Sequence, residues 1–144
     1  MSIDKSKKYW YGDNKQDIIE YLNEYSENKI DQTAILECKK CGSDSFTFKI
    51  DINEGAVETT CTVCNKKHLL LDSEDYWNKC KPEIAKCPEC KKYQYNVGIG
   101  FIHRVSGEVK WVFIGNRCAS CGLLGSYGDW GINYGPTNEM EKNI

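Results

Sequence analysis

The sequence predicts an α+β protein in which a small N-terminal helix precedes two tandem four-cysteine units, each built on an antiparallel β-hairpin. Three observations support this prediction. Eight of the nine cysteines in the 144-residue chain fall into four Cys-x-x-Cys pairs. Apolar residues recur at helical spacing ahead of the first pair. Apolar and polar residues then alternate in short runs between the pairs, the pattern of half-buried strands.

The composition is that of a folded chain, with 40% apolar and 28% charged residues. No apolar run approaches the roughly 18 residues that a membrane span needs, so no membrane association is predicted. The N-terminal sequence MSIDKSKKYWYGD contains lysines without an apolar stretch behind them, unlike a secretory signal. We therefore expect a cytoplasmic protein whose thiols stay reduced.

The spacing of the cysteines is typical of zinc ligands. A tetrahedral zinc ion takes four sulfur donors at about 2.3 Å, and a two-residue spacer lets one tight turn direct two thiolates at one ion. Four pairs therefore predict two complete Zn²⁺ sites, with iron as the alternative metal and Cys80 left over. The predicted ligands are Cys38, Cys41, Cys61, Cys64, Cys87, Cys90, Cys118 and Cys121.

Two other uses of paired cysteines are disulfide bonds and redox catalysis. A reducing compartment argues against disulfides, and strand-like flanks differ from the strand–helix setting of a thioredoxin-like site. The pairs also allow either sequential wiring or a cross-brace in which the first and third turns share an ion. Sequential wiring is favoured because the residues between Cys41 and Cys61, and between Cys90 and Cys118, have room for a hairpin.

The residue after each second cysteine often needs a positive φ, which Gly adopts freely and Asn tolerates. Gly42, Asn65 and Gly122 meet this expectation, whereas Lys91 does not, so the third turn is predicted to be the least regular. The motifs CKKCG with CTVCN, and CPECK with CASCG, resemble the zinc-ribbon fold group, twice in tandem over roughly residues 36–124. This resemblance implies rubredoxin-like turns and structural zinc, but no particular function.

Residues 1–32 are predicted to form an N-terminal extension with an amphipathic helix. Asp13 or Asn14 is the expected N-cap, and the helix would end near residues 26–29. Its apolar face consists of Ile18, Ile19, Leu22 and Tyr25.

Zinc ribbon 1 is predicted over residues 33–72. Residues 34–37 lead as a strand into the first turn, and residues 46–52 alternate apolar with polar side chains. The turn at residues 53–55 would then return the chain through residues 57–60 to Cys61, and residues 67–71 would add a third strand.

A connector over residues 73–86 would lead to zinc ribbon 2 over residues 87–124. Its two strands, residues 97–105 and 109–117, would flank a turn at Ser106-Gly107 and place Gly100 opposite Phe113, whose ring would cover the glycine. Residues 125–144 form an aromatic, Gly-rich C-terminal extension, expected to attach to a ribbon face and to fray at its end.

Charge argues against nucleic acid as the main partner. The formal net charge is −2, and two four-thiolate zinc sites would lower it to about −6. Residues 73–124 nevertheless carry eight basic and five acidic side chains, interleaved with aromatic rings that can stack on bases. The alternative function is therefore binding of single-stranded DNA or RNA, or a transcription-associated role, through Lys91, Lys92, Tyr93, Arg104, Lys110, Trp111 and Arg117.

The leading hypothesis is a non-enzymatic protein in which zinc supports a protein-interaction surface. Four thiolates leave no open metal position, and the chain has no recognisable nucleophile–base motif, so neither catalysis nor a small-molecule substrate is predicted. His68 and His103 are expected at the surface or beside the sites rather than as ligands. Aromatic residues outside the ribbon cores are the predicted partner-binding set: Trp10, Tyr11, Trp77, Tyr127, Trp130 and Tyr134.

Overall fold

The computed structural model describes residues 3–144, which form mostly antiparallel sheet with a few short helices. The helices are α1 (Asp17–Tyr25), α2 (Ser73–Tyr76) and α3 (Asn138–Lys142), with one 3₁₀ turn at Trp77–Lys79. The strands are β1 (Gln32–Ile35), β2 (Phe46–Asp51), β3 (Ala56–Cys61), β4 (Lys67–Leu69), β5 (Glu83–Ile84), β6 (Tyr95–His103), β7 (Val109–Cys118) and β8 (Leu124–Gly131). None of the helices within residues 3–144 is long and apolar enough to cross a membrane.

Both predicted hairpins are present, as β2–β3 and β6–β7, and they belong to one sheet. The strand order along that sheet is β4-β3-β2-β6-β7-β8. The two hairpins meet where β2 pairs with β6, at the single residue pair Phe46 and Tyr95. Their aromatic rings are therefore at the junction of the two halves, and both side chains are buried.

The short strands that precede the first and third cysteine pairs are exchanged between the halves. Strand β1 pairs with β6 of the second half, and β5 pairs with β2 of the first half. The backbone continues this pattern: the Leu36 N–H donates to the Val97 carbonyl and the Ala85 N–H to the Phe48 carbonyl, both at 2.9 Å. The ranges 33–72 and 87–124 remain predictions as domain boundaries, but strand pairing crosses them in both directions.

Helix α1 packs on a patch of bare backbone in the second half. Ile18 and Leu22 are buried, and they lie over the facing pair Gly98 and Gly115 of strands β6 and β7. A Cβ at Gly115 would lie 2.8 Å from Ile18 Cγ2 and 2.9 Å from Leu22 Cδ1. Glycine at these positions therefore allows the helix to approach the sheet closely.

The predicted N-cap of α1, Asp13 or Asn14, is wrong. The helix begins at Asp17, so Gln16 is the N-cap residue, and no side-chain hydrogen bond from residues 3–144 caps it. Asn14 Oδ1 accepts a hydrogen bond from the Gln16 N–H at 3.0 Å in the turn that precedes the helix. Tyr25, predicted on the buried face, is 49% exposed.

The register of the β6–β7 hairpin is as predicted, with Gly100 facing Phe113. The prediction that the Phe113 ring covers Gly100 is wrong, however. A Cβ at Gly100 would first meet the side chain of Ile30, at 2.6 Å. The loop after α1 therefore covers this part of β6.

The C-terminal extension is an integral part of the fold. Strand β8 adds to β7, and Met140 of α3 is buried. The Asn143 side-chain N–H donates to the carbonyls of Leu69 and Leu71, and the Leu71 N–H donates to the Asn143 carbonyl. The predicted fraying of the end is therefore wrong, because this segment crosses the sheet and binds the first half.

Candidate metal centres

All four cysteine turns have the same backbone geometry. The N–H of the residue after the second cysteine donates to the carbonyl of the first, as in Gly42 to Cys38 at 2.7 Å. The matching bonds elsewhere are Asn65 to Cys61, Lys91 to Cys87 and Gly122 to Cys118. The φ angles are positive at all four positions, 78° at Gly42, 64° at Asn65, 66° at Lys91 and 82° at Gly122. The prediction of an irregular third turn is therefore wrong in its backbone.

The turns bring the cysteine sulfurs together in two groups of four, and within each group all four lie within 4.8 Å of one another. In the first group, Sγ–Sγ distances are 3.5 Å for Cys38–Cys64 and 3.5 Å for Cys41–Cys61. In the second, they are 3.6 Å for Cys87–Cys121 and 3.4 Å for Cys90–Cys118.

These distances fit metal ligands rather than disulfide bonds. A disulfide needs about 2.0 Å, whereas a tetrahedron with arms of about 2.3 Å has edges of about 3.8 Å. All nine cysteines, which lie within residues 3–144, are free. The grouping confirms sequential wiring, since turns one and two converge, as do turns three and four.

Backbone N–H groups in the turns favour the thiolate form at several positions. The Cys41 and Lys40 N–H groups donate to Cys38 and lower the pKa of its thiol. Donation from the Cys64 and Val63 N–H groups similarly lowers the pKa of Cys61 to about 6. The Lys92 N–H lowers the pKa of Cys90 to about 7. The fold therefore prepares the charge state that binds metal.

Other thiols in the same groups resist ionisation. Burial, together with the neighbouring Cys87 and Cys118 sulfurs, raises the pKa of Cys121 to about 12. The Ser43 N–H acts to lower the pKa of Cys41, but burial and the adjacent sulfurs raise it to about 12. Four adjacent thiols cannot all ionise without a compensating charge, so the donor set fits a bound divalent cation.

Both groups lie next to the junction of the two hairpins. Cys61 pairs across the strands with Phe46, and Cys118 pairs with Tyr95. Cys61, Cys87 and Cys118 are fully buried. A metal ion in each group would therefore fix the ends of β3 and β7 beside the residue pair that joins the halves.

Three of the aromatic residues predicted to bind a partner make contacts within the fold. Tyr127 donates its hydroxyl to the Lys86 carbonyl at 2.6 Å and packs edge-on against Phe48. Trp130 covers Gly55, where an added Cβ would lie 3.0 Å from the indole. Tyr11 forms isolated strand bridges with Asp4 and Leu123.

The other three predicted aromatics are partly accessible. Trp10 packs edge-on against Tyr21, with ring centroids 5.9 Å apart. Trp77 is half-buried in the 3₁₀ turn. Tyr134 is 41% exposed and donates its hydroxyl to Asp72. The six residues come from three parts of the chain, namely the N-terminal segment, the connector and the C-terminal extension.

The residues predicted to bind nucleic acid are spread along the second hairpin. Lys91, Lys92 and Tyr93 precede β6, whereas Arg104 and Lys110 flank its other end, about 30 Å away for a nine-residue strand. Three of these residues also donate hydrogen bonds to other groups of the same chain. Lys91 donates to the Pro88 carbonyl, Arg104 to the Ile132 carbonyl and Trp111 to Asp129.

Arg117 has a clear structural role in this set. Its guanidinium donates to the carbonyls of Gly12 and Asp13 and to Asn96 Oδ1. Because Gly12 and Asp13 belong to the N-terminal segment, this arginine fastens that segment to the second half.

Two polar residues lie in surroundings that could not be predicted from the sequence. His103, expected near the surface, lies between Asp31 and Glu141 and contacts both carboxylates. Asn116 is 3% exposed, and its Oδ1 has no hydrogen-bond partner within residues 3–144. No local motif marks either residue, since the groups around them come from distant parts of the chain.

The fold places two groups of four cysteines, each able to hold a metal ion, in one antiparallel sheet. Comparisons with protein-family models, curated proteins and solved structures give no significant match. The function is therefore inferred from the geometry of this chain.

Proposed function

We propose that this protein is a non-enzymatic module in which two structural Zn²⁺ ions, held in tandem zinc ribbons, support a protein-interaction surface. The observation that carries the proposal is the pair of complete four-cysteine groups with sulfurs at tetrahedral spacing. A shell of four thiolates leaves no position for a substrate or a reactive water.

Zinc would stabilise a fold that has small halves. Each ribbon has about forty residues, near the size below which an apolar core alone rarely suffices. Structural zinc contributes on the order of 10–16 kcal/mol of apparent binding free energy in small peptides. Zinc is proposed over iron because a non-redox ion with tetrahedral geometry suits a structural role.

Metal analysis of the chain purified under reducing conditions tests this part of the proposal. We expect two equivalents of zinc, and loss of β-sheet circular dichroism when a chelator removes them. Two equivalents of iron, with the visible absorption of a four-thiolate iron site, would contradict the zinc assignment and leave the ligand geometry intact.

A strip of aromatic rings is the observation that favours a protein as the partner. Trp10, Tyr21, Tyr25 and Phe113 form a chain of ring contacts with centroid distances of 5.9–6.0 Å. Tyr25 is 49% exposed, and the adjacent Trp111 is 37% exposed. Half-exposed aromatic rings of this kind are the side chains that most often anchor interfaces.

The interface can be tested by crosslinking the zinc-loaded chain in extracts of its native host. We expect a partner that is captured by the unchanged chain and lost when Tyr25 and Trp111 are both replaced by serine. Tyr134→Ser is the matched control, because Tyr134 is similarly exposed but binds Asp72, whereas Tyr25 and Trp111 both bind Asp129. Equal capture by the double variant and the control would reject this surface.

Single-stranded nucleic acid remains the second candidate partner. The observation that favours it is the N-terminal segment, where Lys5, Lys7 and Lys8 lie 4.7–5.4 Å from the ring centroids of successive aromatic residues. Titration with oligonucleotides at two salt concentrations separates the candidates, because phosphate contacts weaken steeply as salt rises. Tight, salt-sensitive binding would favour nucleic acid over a protein partner.

A further inference from the structure

An open pocket with a volume of about 430 Å³ lies where strand β8 passes between the N-terminal segment and the connector. Tyr9, Tyr21 and Tyr127 contribute aromatic walls, and Asn116 and Gly125 also line it. This volume falls within the range of pockets that bind small ligands.

Asn116 is an unusual residue for its position. It lies on β7, a central strand of the sheet, and its side chain is 3% exposed. Its Oδ1 atom is buried without a hydrogen-bond partner in the part of the chain that the structure describes. An unpaired buried acceptor destabilises a fold, whereas an apolar side chain would not. The amide is therefore explained best by a donor that arrives with a ligand.

Gly125 leaves room beside the buried Asn116 amide. The two residues face each other across β7 and β8. A Cβ at Gly125 would lie 3.6 Å from Asn116 Nδ2 and 3.9 Å from Oδ1, which is ordinary contact. A methyl group at position 125 would thus fit against the amide without a clash, and glycine leaves that space in the pocket free.

Contacts behind the aromatic walls hold them in place. The Tyr127 hydroxyl hydrogen-bonds to the Lys86 carbonyl and to the Tyr95 hydroxyl. Tyr21 stacks on Tyr25, with centroids 6.0 Å apart. The pocket therefore presents flat apolar rings in fixed positions, which favours a planar ligand.

One lysine lies on the rim of the pocket, and a second lies in the adjoining pocket. Lys86 lines the first pocket directly, and Lys8 lines the adjoining pocket of about 290 Å³ that shares Tyr9 and Tyr21. Glu24 also lines the adjoining pocket, but its carboxylate is paired with Lys5. The two lysines are thus placed to attract an anionic group attached to the ligand.

We propose that this pocket binds a nucleobase. The ring packs against the tyrosines, and an N–H on its edge donates to Asn116 Oδ1, the type of contact by which an amide reads a base. The attached phosphate lies toward Lys8 and Lys86. Binding of a nucleobase goes beyond the proposed function, in which zinc supports a protein-interaction surface. The base can belong to a free nucleotide or to a single strand, and both sources have the same chemistry.

The zinc-loaded full chain can be titrated with the four common ribonucleoside monophosphates and with an oligoadenylate or oligouridylate. Intrinsic fluorescence would measure affinity, and nuclear magnetic resonance would follow the Asn116 side-chain amide. We expect at least one base-containing probe to bind and shift that amide signal. Ribose 5-phosphate and inorganic phosphate should not shift it.

The measured affinities distinguish the two sources of the base, a free nucleotide and a single strand. An oligonucleotide that binds about tenfold more tightly than its mononucleotide, with strong salt dependence, identifies a single strand. Equal affinities identify a free nucleotide. Failure of every base-containing probe to bind would overturn the proposal. N-acetyltryptophanamide is an additional probe that mimics an aromatic side chain of a protein. Binding of this probe alone would also overturn the proposal and would identify a protein side chain as the ligand.

Two variants separate ligand binding from a structural role. Asn116→Leu should weaken binding of the best probe at least about tenfold while leaving the thermal midpoint unchanged or higher, because an unpaired buried acceptor is removed. Gly125→Ala, whose Cβ has room, should weaken binding in the same direction with unchanged zinc content. Asn78→Leu, an exposed change in the connector, is the control for added apolar surface. Undiminished binding in both pocket variants would overturn the proposal.

Discussion

At the scale of single residues, backbone hydrogen bonds rather than residue type determine the conformation of the cysteine turns. Lys91 adopts a φ of 66°, although a lysine at positive φ is strained. The Lys91 N–H donates to the Cys87 carbonyl at 3.0 Å, as glycine or asparagine does in the other turns. This shape brings the Cys87 and Cys90 sulfurs into one group of four cysteines.

The first prediction is that Lys91→Gly stabilises the zinc-loaded protein by about 1 kcal/mol, because glycine relieves the strain of the positive φ. The hydrogen bond from Lys91 Nζ to the Pro88 carbonyl would be lost, but it is solvent-exposed and contributes little. The thermal midpoint of the zinc-loaded protein measures the change. A lower midpoint would show that the turn does not strain Lys91.

The matched control is the reverse change at the equivalent position of the fourth turn. Gly122 has a φ of 82°, and a Cβ there would lie 2.7 Å from the Gly12 carbonyl oxygen. Gly122→Ala should therefore lower the midpoint, both through strain and through displacement of the N-terminal segment.

The second prediction concerns His103, which links Asp31 to Glu141 of α3. Burial acts to lower the pKa of this histidine, but Glu141 and Asp31 raise it above its usual value. The stability that the raised pKa contributes is fully present below about pH 6.5 and is lost as pH rises through the folded pKa. The contact with α3 should therefore weaken in alkaline solution.

The difference in thermal midpoint between the unchanged protein and His103→Gln isolates this effect, since pH effects on the cysteines are common to both. We expect the difference to be largest near pH 6 and to shrink toward about pH 9. A difference that stays constant or grows with pH would contradict the assignment.

At the scale of helices and strands, the position of α1 depends on glycine in the sheet below it. The third prediction is that Gly115→Val costs about 1–3 kcal/mol of stability, because the added atoms would overlap Ile18 and Leu22. The substitution should increase the rate of amide hydrogen exchange more in α1 than in β2 and β3. Gly125→Ala, which has room for its Cβ, is the control and should leave exchange in α1 unchanged.

Most local elements could be predicted from the sequence, and their long-range partners could not. Alternation of apolar and polar residues predicted β2, and the turn at Ser106-Gly107 predicted β6–β7 together with the pairing of Gly100 and Phe113. Strand β8 was not predicted, because its sequence LGSYGDWG is rich in glycine. The exchange of β1 and β5 depends on which sheet edge lies nearest in the folded chain, and no local pattern encodes that.

The candidate sites follow the same rule. The cysteine groups were predictable because each turn is a local motif and only two turns must meet. The pocket at Asn116 was not, because its walls come from the N-terminal segment, α1 and β8. The role of His103 also depends on carboxylates from residues 31 and 141.

At the scale of the whole molecule, exchanged strands and a C-terminal segment couple the two halves. The fourth prediction is that Cys87→Ser removes one metal ion and also lowers the stability of the first half, because β5, which precedes the second metal site, pairs with β2. Hydrogen exchange in β2 and β3 of this variant measures the coupling. Unchanged protection of those strands would show that the halves fold independently.

The central claim is that eight cysteines hold two metal ions, four thiolates to each. Native mass spectrometry of the full chain, purified under reducing conditions, tests it most directly. The predicted result is the mass of the chain plus two zinc ions, with one ion lost in Cys38→Ser and one in Cys87→Ser. A mass that shows disulfide-bonded cysteines and no bound metal would contradict the claim.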